Sequence, residues 1–197
     1  MSLNIEDPLV SAFVDQLLRW NARVPLVSRL LSRKQIERML VVPILHAVQE
    51  TGSISGRLMD FGAGSGMGGI LFALANPGLV ITFVERVHKK AIFIKQACRG
   101  LGIGDRVLIV DRDYRDARRE VDAYDFFFAR AVGGIEEVIM EIRTVLSPEA
   151  RILLLQPVGC RMPGICELLK ETEAGAGLLY RQLRLGCSTW NTSARSH

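Results

Sequence analysis

The chain has 197 residues, 49% hydrophobic and 23% charged, with a formal net charge of +4; this suits one α/β core with a small appendage and excludes two large domains. Its apolar runs fall far short of the ~20 residues a membrane span needs, and the opening MSLNIEDPLV lacks a signal peptide's layout, so a cytoplasmic address is expected. Four cysteines (Cys98, Cys160, Cys166, Cys187) with no C-x-x-C pair, and scattered His46, His88 and His197, argue against a metal site or disulfide framework.

Residues 1–51 read as an N-terminal helical cap. Phe13, Leu17, Leu18 and Trp20 fall near one side of a helix, while Pro25 and Pro43 break or begin later helices. Trp20 reads as an anchor between cap and core ahead of a base-stacking platform. From Arg19 to Arg38, six bases (Arg19, Arg23, Arg29, Arg33, Lys34, Arg38) face one acid, Glu37. Such a run is either a solvated helix face or a patch for phosphates, and charge alone leaves both open. ETGSISG, residues 50–56, reads as the linker into a second unit, residues 52–197.

From Arg57 onward strand and helix signals alternate. RLMDF (57–61) is a short strand, GILFALA (69–75) a helix stopped by Asn76-Pro77-Gly78, and LVITFVE (79–85) a β-branched buried strand. HKKAIFIKQACRG (88–100) is helical, and RVLIV (106–110) is the third strand. YDFFFARA (124–131) is the fourth strand, GIEEVIMEIRTVL (134–146) a helix before a turn at Ser147-Pro148, and ARILLLQ (150–156) the fifth strand. A helix is expected from after Pro163 to about Thr172, then a strand at LLYRQLRL (178–185). This order specifies a Rossmann-like, doubly wound, mostly parallel sheet with its ligand at the carboxyl ends of the first strands.

Between the first strand and its helix lies DFGAGSGMGG, residues 60–69, with five glycines in its last eight positions. Gly64, Gly66 and Gly69 satisfy G-x-G-x-x-G, and Glu85 ends the second strand where an acid can take ribose hydroxyls. A strand before, a helix after and an acid at the next strand tip point together to a cofactor containing a nucleoside. NAD would bring a pyrophosphate, best met by a helix N-terminus. S-adenosylmethionine brings an amino acid and a sulfonium, and Asp60, just ahead of the first glycine, suits that cationic ligand.

The spelling D-x-G-x-G-x-G, through Asp60, Gly62, Gly64 and Gly66, resembles motif I of class I methyltransferases. WNARVPLVSR (20–29), DFGAGSGMGGILFALANPGLVITFVERVHKKAIFIKQAC (60–98) and YDFFFARAV (124–132) together resemble the GidB/RsmG family, bacterial guanine-N7 methyltransferases of 16S rRNA. The likeness runs from about Phe13 to Gln156. It implies S-adenosyl-L-methionine as cofactor, held by Asp60, Gly62, Gly64, Gly66, Met67 and Glu85, with Tyr114 and Arg115 after strand three (Asp116 being the nearest acid there). It implies Arg130, at the tip of strand four, as both cofactor contact and catalytic residue; the bland alternative is an ion pair to Glu136. The implied substrate is 16S rRNA or the small ribosomal subunit, acted on by a monomer without metal or membrane. The chain departs from the family at Met39, Val42, Pro43, Gly68 and Gln156-Pro157, and those departures are expected on the surface that meets RNA. Two alternatives stay open: an RNA-associated cofactor-binding protein with lost or altered catalysis, and an NAD-dependent oxidoreductase, which Asp60 argues against.

Overall fold

Strands that alternate apolar residues to both faces must be covered on both, and five such strands run parallel, side by side, in a seven-stranded sheet. They are β1 (Gly56–Phe61), β2 (Leu79–Val84), β3 (Val107–Val110), β4 (Tyr124–Arg130) and β5 (Leu146–Pro157). Two further strands, β6 (Cys166–Gly175) and β7 (Leu178–Leu185), join antiparallel, giving the order β3-β2-β1-β4-β5-β7-β6. The computed structural model describes residues 3–111 and 123–186.

The side-chain alternation explains the aromatic run of β4. Phe126 and Phe128 enter the core beneath the N-terminal helices with Leu58, Ile81 and Phe83. Phe127 and Ala129 enter the opposite core with Met59, Ile152 and Leu154. The first face is covered by α1 (Pro8–Asn21), α4 (Met67–Ala75) and α5 (His88–Gly100), the second by α6 (Ile135–Ile142). Helices of the first 51 residues therefore share one continuous core with the sheet.

Local chemistry sets the helix ends. Asp7 caps α1 by accepting the Leu9 amide at 2.8 Å, with Pro8 at the first turn. Ser32 and Gln35 form a reciprocal capping box on α2 (Arg33–Ile36). From α2 the helical path continues through a π turn, Glu37–Val41, into α3 (Val42–Thr51). Pro43 sits at the start of α3, where its ring would crowd a tight α turn. The wider turn, with the Val42 amide bonded to the Glu37 carbonyl, accommodates it, so Pro43 reshapes the helix without ending it.

Two expectations in the last third are corrected. The segment from after Pro163 to about Thr172, expected as a helix, instead enters β6; Glu167 faces Arg184 and Glu171 faces Arg181 across the β7 ladder, so opposite charges lock the pairing. Ser147-Pro148, expected as a turn, lies inside β5. There the ladder jumps from Tyr124–Leu146 to Phe126–Arg151, a bulge that absorbs the proline. The helix before it is shorter than expected, ending at Ile142 before a 3₁₀ turn, Arg143–Val145.

Candidate active site

In the order 3-2-1-4-5 the chain reverses direction between β1 and β4, and the crevice outside their carboxyl ends is where such a sheet takes its ligand. The glycine turn leaves β1 there. Gly62, Gly64 and Gly66 all have left-handed φ, between +60° and +66°. Among the described residues, a Cβ at Gly64 would meet only the Gly62 carbonyl, at 3.8 Å, and one at Gly62 only Val132 Cγ2, at 3.6 Å. The main chain at these two positions is thus open for a ligand to lie against. Gly68 and Gly69 do a different job. A Cβ at Gly68 would overlap the Phe128 ring and one at Gly69 the Phe83 ring, so both let α4 press onto the sheet. The departure at Gly68 therefore has a packing cause: Phe128 fills the space a larger residue would need. Met67 opens α4 and is buried among core side chains, so only its backbone faces the turn.

Both acids are buried. Glu85 accepts the Gly64 amide at 2.7 Å through one oxygen and the Val87 amide at 2.8 Å through the other. It tethers the glycine turn to the tip of β2, and each oxygen keeps a lone pair for a further donor. Asp60 accepts the Gly69 amide at 2.7 Å, in the first turn of α4. Burial pushes its carboxyl up to about 7, against the pull of that amide and of Arg130.

Arg130 ends β4, one residue beyond the Phe61–Ala129 pair and so beside the glycine turn. Burial lowers its pKa and the charge of Asp60 opposes that shift. Its Nη1 donates to the Leu40 carbonyl in the π turn at 3.5 Å, and among the described residues it pairs with no acid, Glu136 included. The next residue, Ala131, has φ +49°, a conformation costly for a residue with a Cβ. Thus Asp60, the 62–66 turn, Glu85 and Arg130 converge on one crevice. Tyr114, Arg115 and Asp116 lie outside the described residues. Among the described residues no cluster of three or more His, Cys, Asp or Glu can hold a metal, and no helix is long and apolar enough to cross a membrane.

The expectation that the departures all lie on an outer surface holds for Met39, Val42 and Pro157, which are exposed, and fails for Pro43, Gly68 and Gln156, which are buried. Gln156 is buried at the carboxyl end of β5, where its Oε1 accepts Arg181 Nη1 at 3.2 Å. Arg181 also donates to the Cys160 carbonyl at 2.9 Å and to Glu171 at 2.5 Å. A lysine at 156 would set two cations together in a buried place, so a neutral acceptor follows from Arg181. Sequence reasoning missed Arg181; nothing in LLYRQLRL sets it apart from Arg184, the second arginine of that run, although Arg181 is buried and Arg184 exposed.

The family model described as rRNA small subunit methyltransferase G matches residues 7–158. Ribosomal RNA small subunit methyltransferase G of Chromobacterium violaceum is 25% identical over 163 residues, 80% of this chain and 75% of that protein. The protein of the same name from Xanthomonas campestris is 31% identical over 146 residues, 74% of this chain and 66% of its own length. The chain thus spans about two-thirds to three-quarters of the curated relatives it matches. Among solved structures, a methyltransferase from Geobacter sulfurreducens superposes with a TM-score of 0.61 at 17% identity, covering 93% of this chain and 91% of that one, a likeness of fold.

Proposed function

Because the chain belongs to the rRNA small subunit methyltransferase G family, we propose that it methylates guanine N7 in 16S rRNA, using S-adenosylmethionine, as a monomer in the cytoplasm. Residues 1–51 serve as a helical cap on a methyltransferase unit, residues 52–197. The observation that carries this reading is the crevice itself: open main chain at Gly62 and Gly64, Glu85 bonded to that turn, and Arg130 at the adjacent strand tip.

The residues fit the cofactor. Gly62 and Gly64 bring bare backbone against it; Gly66 completes the turn, its missing Cβ leaving room for Ile94, and Met67 contributes its backbone at the start of α4. Glu85 has free lone pairs for ribose hydroxyls, and Asp60 offers its second oxygen to an ammonium group. When bound, S-adenosylmethionine supplies an electrophilic methyl group. Guanine N7 carries an available ring lone pair, so no residue has to remove a proton, and this site needs no general base. What the chain supplies is orientation and exclusion of water. Arg130 holds a phosphate or guanine O6. It does not fork across O6 and N7, the usual arginine–guanine pairing, because that would occupy the nucleophile.

The test is primer extension after chemical cleavage at 7-methylguanine, on rRNA from a strain lacking this gene and from one with the gene restored. A stop that returns with the gene supports the reading; its absence in both strains overturns it. Arg130→Ala should cut methylation at least a hundredfold, about 2.7 kcal/mol of transition-state stabilisation. It should leave S-adenosylhomocysteine affinity within severalfold, and equal loss of both would remove Arg130 from the reaction.

A further inference from the structure

The basic run of residues 19–38, ambiguous as sequence, separates in the structure into cations with partners and cations without. Arg33 is neutralised: it pairs with Asp15 and Glu37 and donates to Ser11. Arg29 donates to the Asn21 carbonyl at 3.1 Å, closing the turn after α1. Arg19 and Arg23 do neither. Both project at the end of α1 into a groove of about 740 Å³ between that helix and the start of α5, where Lys89 joins them. All three are exposed, and among the described residues no acid lines the groove and none of the three forms an ion pair. Trp20 and Ile92 supply its apolar surface. Trp20 is fixed from behind, its ring 5.7 Å from that of Phe93, so it anchors the cap and lines the groove at once.

Three cations around an indole and an aliphatic side chain match the chemistry of a nucleic-acid strand whose bases are unstacked: phosphates for the charges, a base face for the apolar surface. Position adds to this. Lys89 follows Glu85 by four residues at the tip of β2, so the groove opens beside the candidate cofactor crevice. We propose that this groove binds single-stranded RNA flanking the nucleotide to be modified. Arg19, Arg23 and Lys89 meet its phosphates, and Trp20 and Ile92 meet a base. The proposal rests on the rRNA methyltransferase reading and names where that substrate lies.

Fluorescence anisotropy with a short, unstructured, fluorescein-labelled oligoribonucleotide tests it, on the full chain over a range of salt. The triple variant Arg19→Ser/Arg23→Ser/Lys89→Ser should bind at least tenfold more weakly. Its slope of log affinity against log salt should shrink by about 2, at ~0.7 for each phosphate that is no longer neutralised. A control, Arg57→Ser/Arg99→Ser/Arg143→Ser, removes the same charge from the end of the strands away from the crevice and should stay within threefold of wild type. The double variant Arg23→Ser/Lys89→Ser should fall between, which guards against misfolding of the triple. Each variant is also titrated with S-adenosylhomocysteine, whose affinity should hold within twofold. A triple variant within threefold of wild type, an equal loss in the control, or a wild type that binds no RNA would overturn the groove assignment. A wild type that binds RNA through the groove but not S-adenosylhomocysteine would instead overturn the methyltransferase reading.

Discussion

The half of the sheet built from β1, β2 and the helices between them and the half built from β5, β6 and β7 use the same kinds of residue under different constraints. In the first half β1 and β2 are buried over most of their length, and Gly68 and Gly69 have no room for a Cβ. Geometry there is dictated by packing. In the second half β6 is an edge strand, exposed along much of its length and held by cross-strand ion pairs. The site lies where the rigid half meets its neighbour: open backbone at Gly62 and Gly64 is positioned by closed backbone a few residues on. Rigidity at 68–69 is what lets the turn at 62–66 stay open.

The largest expected effect that probes this contrast comes from the second half. Leu183 is fully buried on β7, beside an exposed edge; Leu183→Ala should cost about 2–5 kcal/mol in urea unfolding. A loss under about 1 kcal/mol would mean the hairpin adds little to the core. Next comes the pH dependence set by Asp60, protonated in the folded protein up to about pH 7, whereas an unfolded aspartate titrates near 4. Because the folded value is the higher, this contribution to stability is complete below about pH 4 and is lost as pH rises through about 7. Wild type should therefore lose roughly a few kcal/mol over that window, and Asp60→Asn should flatten the profile; an unchanged profile in the variant would refute it. Gly69→Ala should destabilise by about 1–3 kcal/mol through overlap with Phe83, while neutrality would show α4 free to move off the sheet. Smallest is Ala131→Gly, which releases the left-handed strain after Arg130 and should gain about 1 kcal/mol; a loss would place that strain elsewhere.

The same contrast explains what could be read before the fold was known. α5 was legible to its last residue because Gly100 stops an amphipathic pattern, and β2 because a β-branched run ends at an acid. The crevice was legible for a similar reason: the alternating glycines Gly62, Gly64 and Gly66 between strand and helix mark a tight backbone turn, although Gly68 and Gly69 proved to serve packing. CELLKETEAG, by contrast, holds good helix formers, and its strand state comes from pairing with β7, a partner downstream. Ser147-Pro148 reads as a turn because local chemistry cannot reveal that a bulge will absorb it. Gln156 looked like a lost surface cation, since nothing nearby in sequence points to Arg181. The π turn that brings the Leu40 carbonyl to Arg130 was foreshadowed only by Pro43.

The most direct measurement is isothermal titration of the purified chain with S-adenosylhomocysteine, with NAD in a parallel cell. The crevice predicts one saturable site for S-adenosylhomocysteine, weakened at least tenfold by Glu85→Ala, and no heat with NAD. Binding of NAD in its place, or no binding of S-adenosylhomocysteine by a folded wild type, would contradict it.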